Sequence, residues 1–241
     1  MPLMKRHKFM LVAIGFYWPV IFILTHIPLP GKLISSAGMS DKVMHFLAYL
    51  GLVSIAWFAV SPFEKVNWKK AKVWIILAAV IWYGAFDEWL QSFVGRSMDI
   101  YDFAADITAA LTALLIMTFL TFWPAVLTFS TIFIFAITCL TRPNITLQNE
   151  LINSAFYFLA YAFFTLVWIQ SSDRIWFTKK SDSQWFASSF GVPLAALAVM
   201  TALSVAFGKE FWPMNIITAS SAIIASTVVT YLTKKTVSRR C

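Results

Sequence analysis

The stretch FDEWLQSFVGRSMDIYDFAAD, Phe86 to Asp106, joins two long apolar runs, about 73–93 before it and about 103–121 after it. Each run is long enough to cross a bilayer core, which takes about 20 residues as a helix. The stretch therefore reads as the polar elbow of a transmembrane helical hairpin. It holds Asp87, Glu88, Asp99, Asp102 and Asp106, five of the chain's 11 acidic residues, together with Arg96. Carboxylates gathered this closely in so apolar a chain are the feature to explain.

Working outward, the rest of the chain has the same character. It is 60% hydrophobic and 12% charged, against roughly 45–50% and roughly 25% for a soluble domain. Hydropathy places eight candidate spans at about Phe9–Ile27, Val43–Val60, Val73–Phe93, Phe103–Thr121, Phe122–Leu140, Leu151–Ile169, Gln184–Phe207 and Met214–Thr233. Backbone groups in lipid must be satisfied within their own segment, which selects helices, and the alternation expected of barrel strands is absent. The expected fold is all-α, a polytopic transmembrane helix bundle. The fourth and fifth spans meet in a tight turn at TFWPA, marked by Pro124. The N-terminus has the basic and apolar regions of a signal peptide, but its apolar run is too long and lacks a small-residue cleavage site, so a retained first helix is expected. Cys139 lies inside an apolar run and Cys241 is the last residue, so neither a disulfide nor a cysteine metal site is expected. The net charge of +8 falls in short clusters between apolar runs, a topology signal rather than a nucleic-acid footprint.

Those clusters orient the chain. Lys5, Arg6, Lys8, Lys65, Lys69, Lys70, Lys72, Arg174, Lys179, Lys180, Lys234, Lys235, Arg239 and Arg240 fall on one side; Lys32, Lys42, Arg96, Arg142 and Lys209 fall on the other. The positive-inside rule puts the larger group and both termini in the cytoplasm. Span three then ends on the outer side, where spans two and four begin. Lys42, His45 and Tyr49 form one helical stripe, Glu88 and Gln91 are three apart, and Asp102 and Asp106 are four apart. A polar face turned to lipid costs several kcal/mol, so the three faces should turn toward one another. Adjacent residues on a helix point about 100° apart, so only one of Asp87 and Glu88 should face inward. Glu88 is expected there, because it shares a face with Gln91, while Asp99 stays in water. A small polar chamber near the outer leaflet is expected, with Glu88, Asp102 and Asp106 opposite Lys42, Arg96 and His45.

At these residues the chain resembles the VanZ-like family of membrane proteins. The match runs through DKVMHFLAY and EWLQSFVGRSMDIYD, on Asp41, Lys42, His45, Phe46, Tyr49, Glu88, Gln91, Phe93, Gly95, Arg96 and Asp102, and covers about Phe9 to Leu120. Val94 stands where the family often has Pro, and Asp106 where it usually has Asn. The resemblance implies a cell-envelope protein of the bacterial plasma membrane, of the type linked to glycopeptide (teicoplanin) resistance. It also implies that Asp106→Asn is tolerated, while Asp102→Asn and Arg96→Gln are not.

The second half reads as a degenerate copy of the first, so two tandem four-helix repeats are expected, 1–121 and 122–241. HFLAY at His45–Tyr49 recurs as YFLAY at Tyr157–Tyr161, and VGRSMDIYD at Val94–Asp102 aligns with FGKEFWPMN at Phe207–Asn215. The first span lands on the fifth at the same offset, each followed by a proline, Pro30 and Pro143. Four spans per unit give both copies the same orientation, the parallel-repeat arrangement known among transporters. In the copy His45 becomes Tyr157, Asp102 becomes Asn215, Asp106 becomes Ala219 and Arg96 becomes Lys209.

The candidate ligand-binding residues are therefore Lys42, His45, Tyr49, Glu88, Gln91, Arg96, Asp102 and Asp106. A purely structural role as interhelical glue, at roughly 0.6–2 kcal/mol per contact, competes with a site. His45 with Glu88, Asp102 and Asp106 offers donors to a divalent ion, but no ligand spacing demands a metal and no cofactor motif is present. Three functions fit: a non-enzymatic binder of an envelope lipid or lipid-linked precursor, with Lys42 and Arg96 on its phosphate; a membrane enzyme on such a lipid, with His45 or Glu88 as base; and a proton-coupled carrier of lipid or small molecules. The first ranks highest, since no catalytic constellation supports the second.

Overall fold

The computed structural model describes residues 3–26, 40–61, 63–93, 98–140, 147–175, 181–209 and 212–238. Among them are eight α-helices and no strand. They are α1 (Leu3–His26), α2 (Asp41–Val60), α3 (Ala71–Gln91), α4 (Ile100–Phe119), α5 (Phe122–Phe135), α6 (Leu147–Ile175), α7 (Asp182–Ala206) and α8 (Pro213–Ser238). A π-helical turn, Ala136–Leu140, continues α5. Seven of the helical segments are long and apolar enough to cross a membrane, and α1 contributes a shorter apolar stretch, Met10–Phe22. This is the pattern of a multi-pass membrane protein. Large side chains on the outer faces fit it: Trp74, Trp82 and Trp89 on α3 are all more than half exposed or close to it, which suits lipid rather than water.

Local chemistry sets the ends. The hydroxyl of Ser40 caps α2 by accepting from the Val43 N–H, and Asp99 caps α4 by accepting from the Tyr101 N–H. Ser181 and Gln184 form a capping box at the start of α7. The link between α4 and α5 is only Leu120 and Thr121. Pro124, expected in the turn itself, instead sits in the first turn of α5, where a missing N–H costs nothing. The polar end of α6 runs on to Ile175, beyond the expected Ile169, and is held there by an ion pair of Asp173 with Lys234 on α8.

The chain divides into two compact units, with the boundary between Ala125 and Val126. In the first unit α2 packs most extensively on α4, with α1 against α2 and α3 against α4. Tyr17 of α1 donates its hydroxyl to the Ala48 carbonyl of α2 at 3.1 Å. It lies directly against Gly51, where even a Cβ would collide with the ring, so glycine is what lets α1 approach. At the opposite end of α2 the connecting loop is pinned to α4 by the Val66 N–H to the Met117 carbonyl, 2.9 Å, and the Trp68 indole to Thr118, 2.9 Å. Glu64 accepts there from Lys72 at 2.6 Å and Lys70 at 3.3 Å, and these ammonium groups hold its carboxyl below the usual glutamate range. In the second unit α6 packs most extensively on α8, and α7 on α8, around Tyr161, Ala219, Ala222 and Ile223.

Candidate functional site

Three helix ends of the first unit converge: the first turns of α2, the last turns of α3 and the first turns of α4. Asp99 ties all three together. Its backbone N–H donates to Glu88 Oε2 on α3 at 2.9 Å, its Oδ1 caps α4 through the Tyr101 N–H at 2.8 Å, and its Oδ2 accepts from Lys42 of α2 at 2.9 Å. The Lys42 ammonium first, and then the Tyr101 N–H, hold the Asp99 carboxyl below the usual aspartate range. Asp99, expected to stay in water, is about a third exposed and is also the hub of the rim. The legible signal was its place directly before a helix whose first turn carries Asp102, the position of an N-cap.

Lys42 stands at the rim with its side chain about half exposed. It also reaches Asp102 at 3.4 Å and lies over the Tyr101 ring. Behind it the polar groups are buried. His45 is 2% exposed and Asp106 1%, and His45 Nδ1 meets Asp106 Oδ1 at 3.1 Å. The His45 ring runs nearly parallel to Tyr49, with centroids 6.4 Å apart, and Tyr49 in turn stacks on Tyr83 at 5.8 Å. Glu88 and Gln91 are buried as well. Asp106 Oδ2 faces Gly84 of α3, where a Cβ would come to 3.2 Å; α3 and α4 meet closely at this point.

The expectation that Asp87 points away from the chamber is corrected. Asp87 is fully buried and accepts from the Gln91 amide at 3.0 Å. The reason is packing: α3 has α4 on one side and α1 and α2 on others, so faces 100° apart are both covered. The half-buried Tyr83 and the buried Asp87 and Gln91 form one polar stripe, and Glu88 with Gly84 forms the next. Tyr83 was missed because a tyrosine near a span end reads as an interfacial anchor. Val94, Gly95 and Arg96 lie outside the described residues.

Four buried atoms of this site have no hydrogen-bond partner among the described residues: His45 Nε2, Tyr49 Oη, Glu88 Oε1 and Asp106 Oδ2. Two sets of three side chains bring one donor atom each within 4.8 Å of one another, His45 with Glu88 and Asp106, and Asp41 with His45 and Asp102. The interior is thus rich in acceptors, with a single described ammonium at its rim.

The second unit has a polar cluster of its own. Asn153 donates its amide to Asn215 Oδ1 at 3.1 Å. Tyr157 and Tyr161 lie nearly parallel at 6.3 Å, Tyr161 pairs with the Thr138 hydroxyl at 3.1 Å, and Ala219 is fully buried. Lys209 reaches the Thr138 carbonyl in the π-helical turn at 3.4 Å. Comparison of the chain with protein-family models, curated proteins and solved structures finds no match.

Proposed function

We propose that this is a VanZ-like protein of the bacterial plasma membrane whose first unit binds an envelope lipid, or a lipid-linked envelope precursor, through its phosphate headgroup. One observation carries the reading: a half-exposed Lys42 stands in front of a buried bank of acceptors from three helices. Such an arrangement suits a headgroup with a phosphate at the rim and hydroxyl or ammonium donors directed toward the carboxylates. Mass spectrometry of lipid co-purified in detergent tests it. The expected result is one phosphate-bearing lipid class, enriched over the bulk membrane and depleted in Lys42→Gln and Glu88→Gln but not in Asn153→Ala. Equal lipid profiles in all four proteins would sink the proposal.

The polar cluster faces the outer leaflet in this reading, with both termini in the cytoplasm. The support is the distribution of Lys and Arg between loops, 14 of the chain's 19 falling on one side. A reporter fused at Lys69 is expected to read cytoplasmic and one at Gly38 external. A cytoplasmic reading at Gly38 would invert the site.

The second unit is a degenerate parallel repeat of the first. Buried positions recur in register: His45, Tyr49, Leu52, Val53 and Trp57 correspond to Tyr157, Tyr161, Phe164, Thr165 and Ile169, and all ten are buried. On the fourth helix of each unit, Asp106, Ala109, Ala110, Ala113 and Leu114 correspond to Ala219, Ala222, Ile223, Ser226 and Thr227, again all buried. The near-parallel ring pair also recurs, 6.4 Å and 17° against 6.3 Å and 17°. Pro30 and Pro143, which flank the matched first helices, lie outside the described residues.

A further inference from the structure

The geometry points to a binding site for a divalent transition-metal ion in the first unit, held by His45, Glu88 and Asp106. The inference stands apart from the lipid reading and does not depend on it. One donor atom from each residue lies within 4.8 Å of the other two. Ligands about 2.0–2.2 Å from a common ion are roughly 3–4 Å from one another, and these donors lie close to that spacing. The three side chains are 2%, 3% and 1% exposed.

Each residue also retains a buried atom without a hydrogen-bond partner among the described residues: Nε2 of His45, Oε1 of Glu88 and Oδ2 of Asp106. Native interiors leave few such atoms, and each asks for an explanation. The two carboxylate oxygens, on side chains that adjoin His45, have no donor among the described residues and ask for an electrophile. Charge leads to the same conclusion. Among the described residues, Glu88, Asp102 and Asp106 are buried beside one imidazole, while Lys42 is engaged at the rim by Asp99 and Asp102. A divalent ion compensates two carboxylates at once.

The donor set selects the kind of ion. Imidazole nitrogen favours zinc and its neighbours over calcium, which takes six to eight oxygens. Two carboxylates are also compatible with manganese. Three protein donors leave a coordination position open, the arrangement of ligand-binding or reactive zinc sites rather than closed structural ones. The second set, Asp41, His45 and Asp102, is the weaker candidate: Asp102 is already paired with Lys42, and no orphaned atom lies on either of its carboxylates. His45, Glu88 and Asp106 come from three helices, which is why no ligand spacing is visible along the chain.

The test uses the full-length protein in detergent, stripped with a chelator, dialysed against Zn²⁺ and analysed for metal by mass spectrometry, with Mn²⁺ in a parallel arm. About one Zn²⁺ per chain is expected, with affinity weakened by about a hundredfold or more in His45→Ala, Glu88→Gln and Asp106→Asn; even lesser changes around a metal site cost about 10–100-fold. A His7→Ala/His26→Ala protein is expected to bind as the parent does. Size-exclusion profiles and helical circular dichroism identify variants that have not folded, and the near-isosteric Glu88→Gln then decides. The inference is overturned if the parent binds no stoichiometric metal. It is equally overturned if Glu88→Gln and Asp106→Asn bind unchanged, or if only Asp41→Asn and Asp102→Asn lose the ion.

Discussion

His45→Leu is expected to destabilise the first unit by about 3 kcal/mol, the range for removing one partner of a buried charged pair. His45 Nδ1 is the described partner of Asp106 Oδ1, and Oδ2 of the same carboxylate has none among the described residues. Without the imidazole, a side chain only 1% exposed would carry an uncompensated charge in a low-dielectric interior. Adding Asp106→Ala to the same chain is expected to recover most of the loss, because removing both partners of a buried pair is often close to neutral. Denaturant unfolding of the parent, the two single variants and the double variant in detergent forms a double-mutant cycle, and the coupling should exceed about 1 kcal/mol for groups in contact. Additive losses would show that the pair does not exist. The same double variant separates site from glue. If His45 and Asp106 serve only packing, the stable double variant keeps its lipid; if they serve the pocket, it does not.

Ala219→Asp is expected to be the most damaging single change in the second unit, at about 3 kcal/mol or more, since it buries an unpaired carboxylate. Ala219 is fully buried and shares its core with Tyr157. If the second unit repeats the first, Tyr157→His in the same chain rebuilds the His45–Asp106 contact and restores much of the stability. Thermal melts of the two single variants and the double variant measure it. A double variant no better than Ala219→Asp alone would break the proposed correspondence of His45 with Tyr157 and Asp106 with Ala219. The Asn153–Asn215 pair makes rescue a realistic expectation, because polar groups already bridge these two helices.

The helices themselves were legible in the chain. In lipid every backbone group must be satisfied locally, so apolar length alone specifies a helix, and the observed ends fall within a few residues of the hydropathy limits except where polar chemistry intervenes, as at Ile175. The stripe of Lys42, His45 and Tyr49, which runs from the exposed rim to the interior, was legible too, because helical periodicity is a local property.

What the sequence could not determine is which residues meet across helices, since that depends on how many neighbours each helix has. Asp87 and Glu88 are adjacent in the chain, and periodicity allows one of them inside. Contact of α3 with α1, α2 and α4 buries both. Asp99 looked like a solvated loop residue, and only the approach of Lys42 and Glu88 from two other helices made it the hub. The pairing of His45 with Asp106 spans 61 residues, and the three orphaned atoms of His45, Glu88 and Asp106 are defined only once three helix ends are packed together. Composition and periodicity determined by themselves that this chain forms apolar helices with one polar end in its first half. Tertiary packing alone decided which carboxylates share an imidazole, because side-chain convergence is set by interhelical contact and leaves no trace in local spacing.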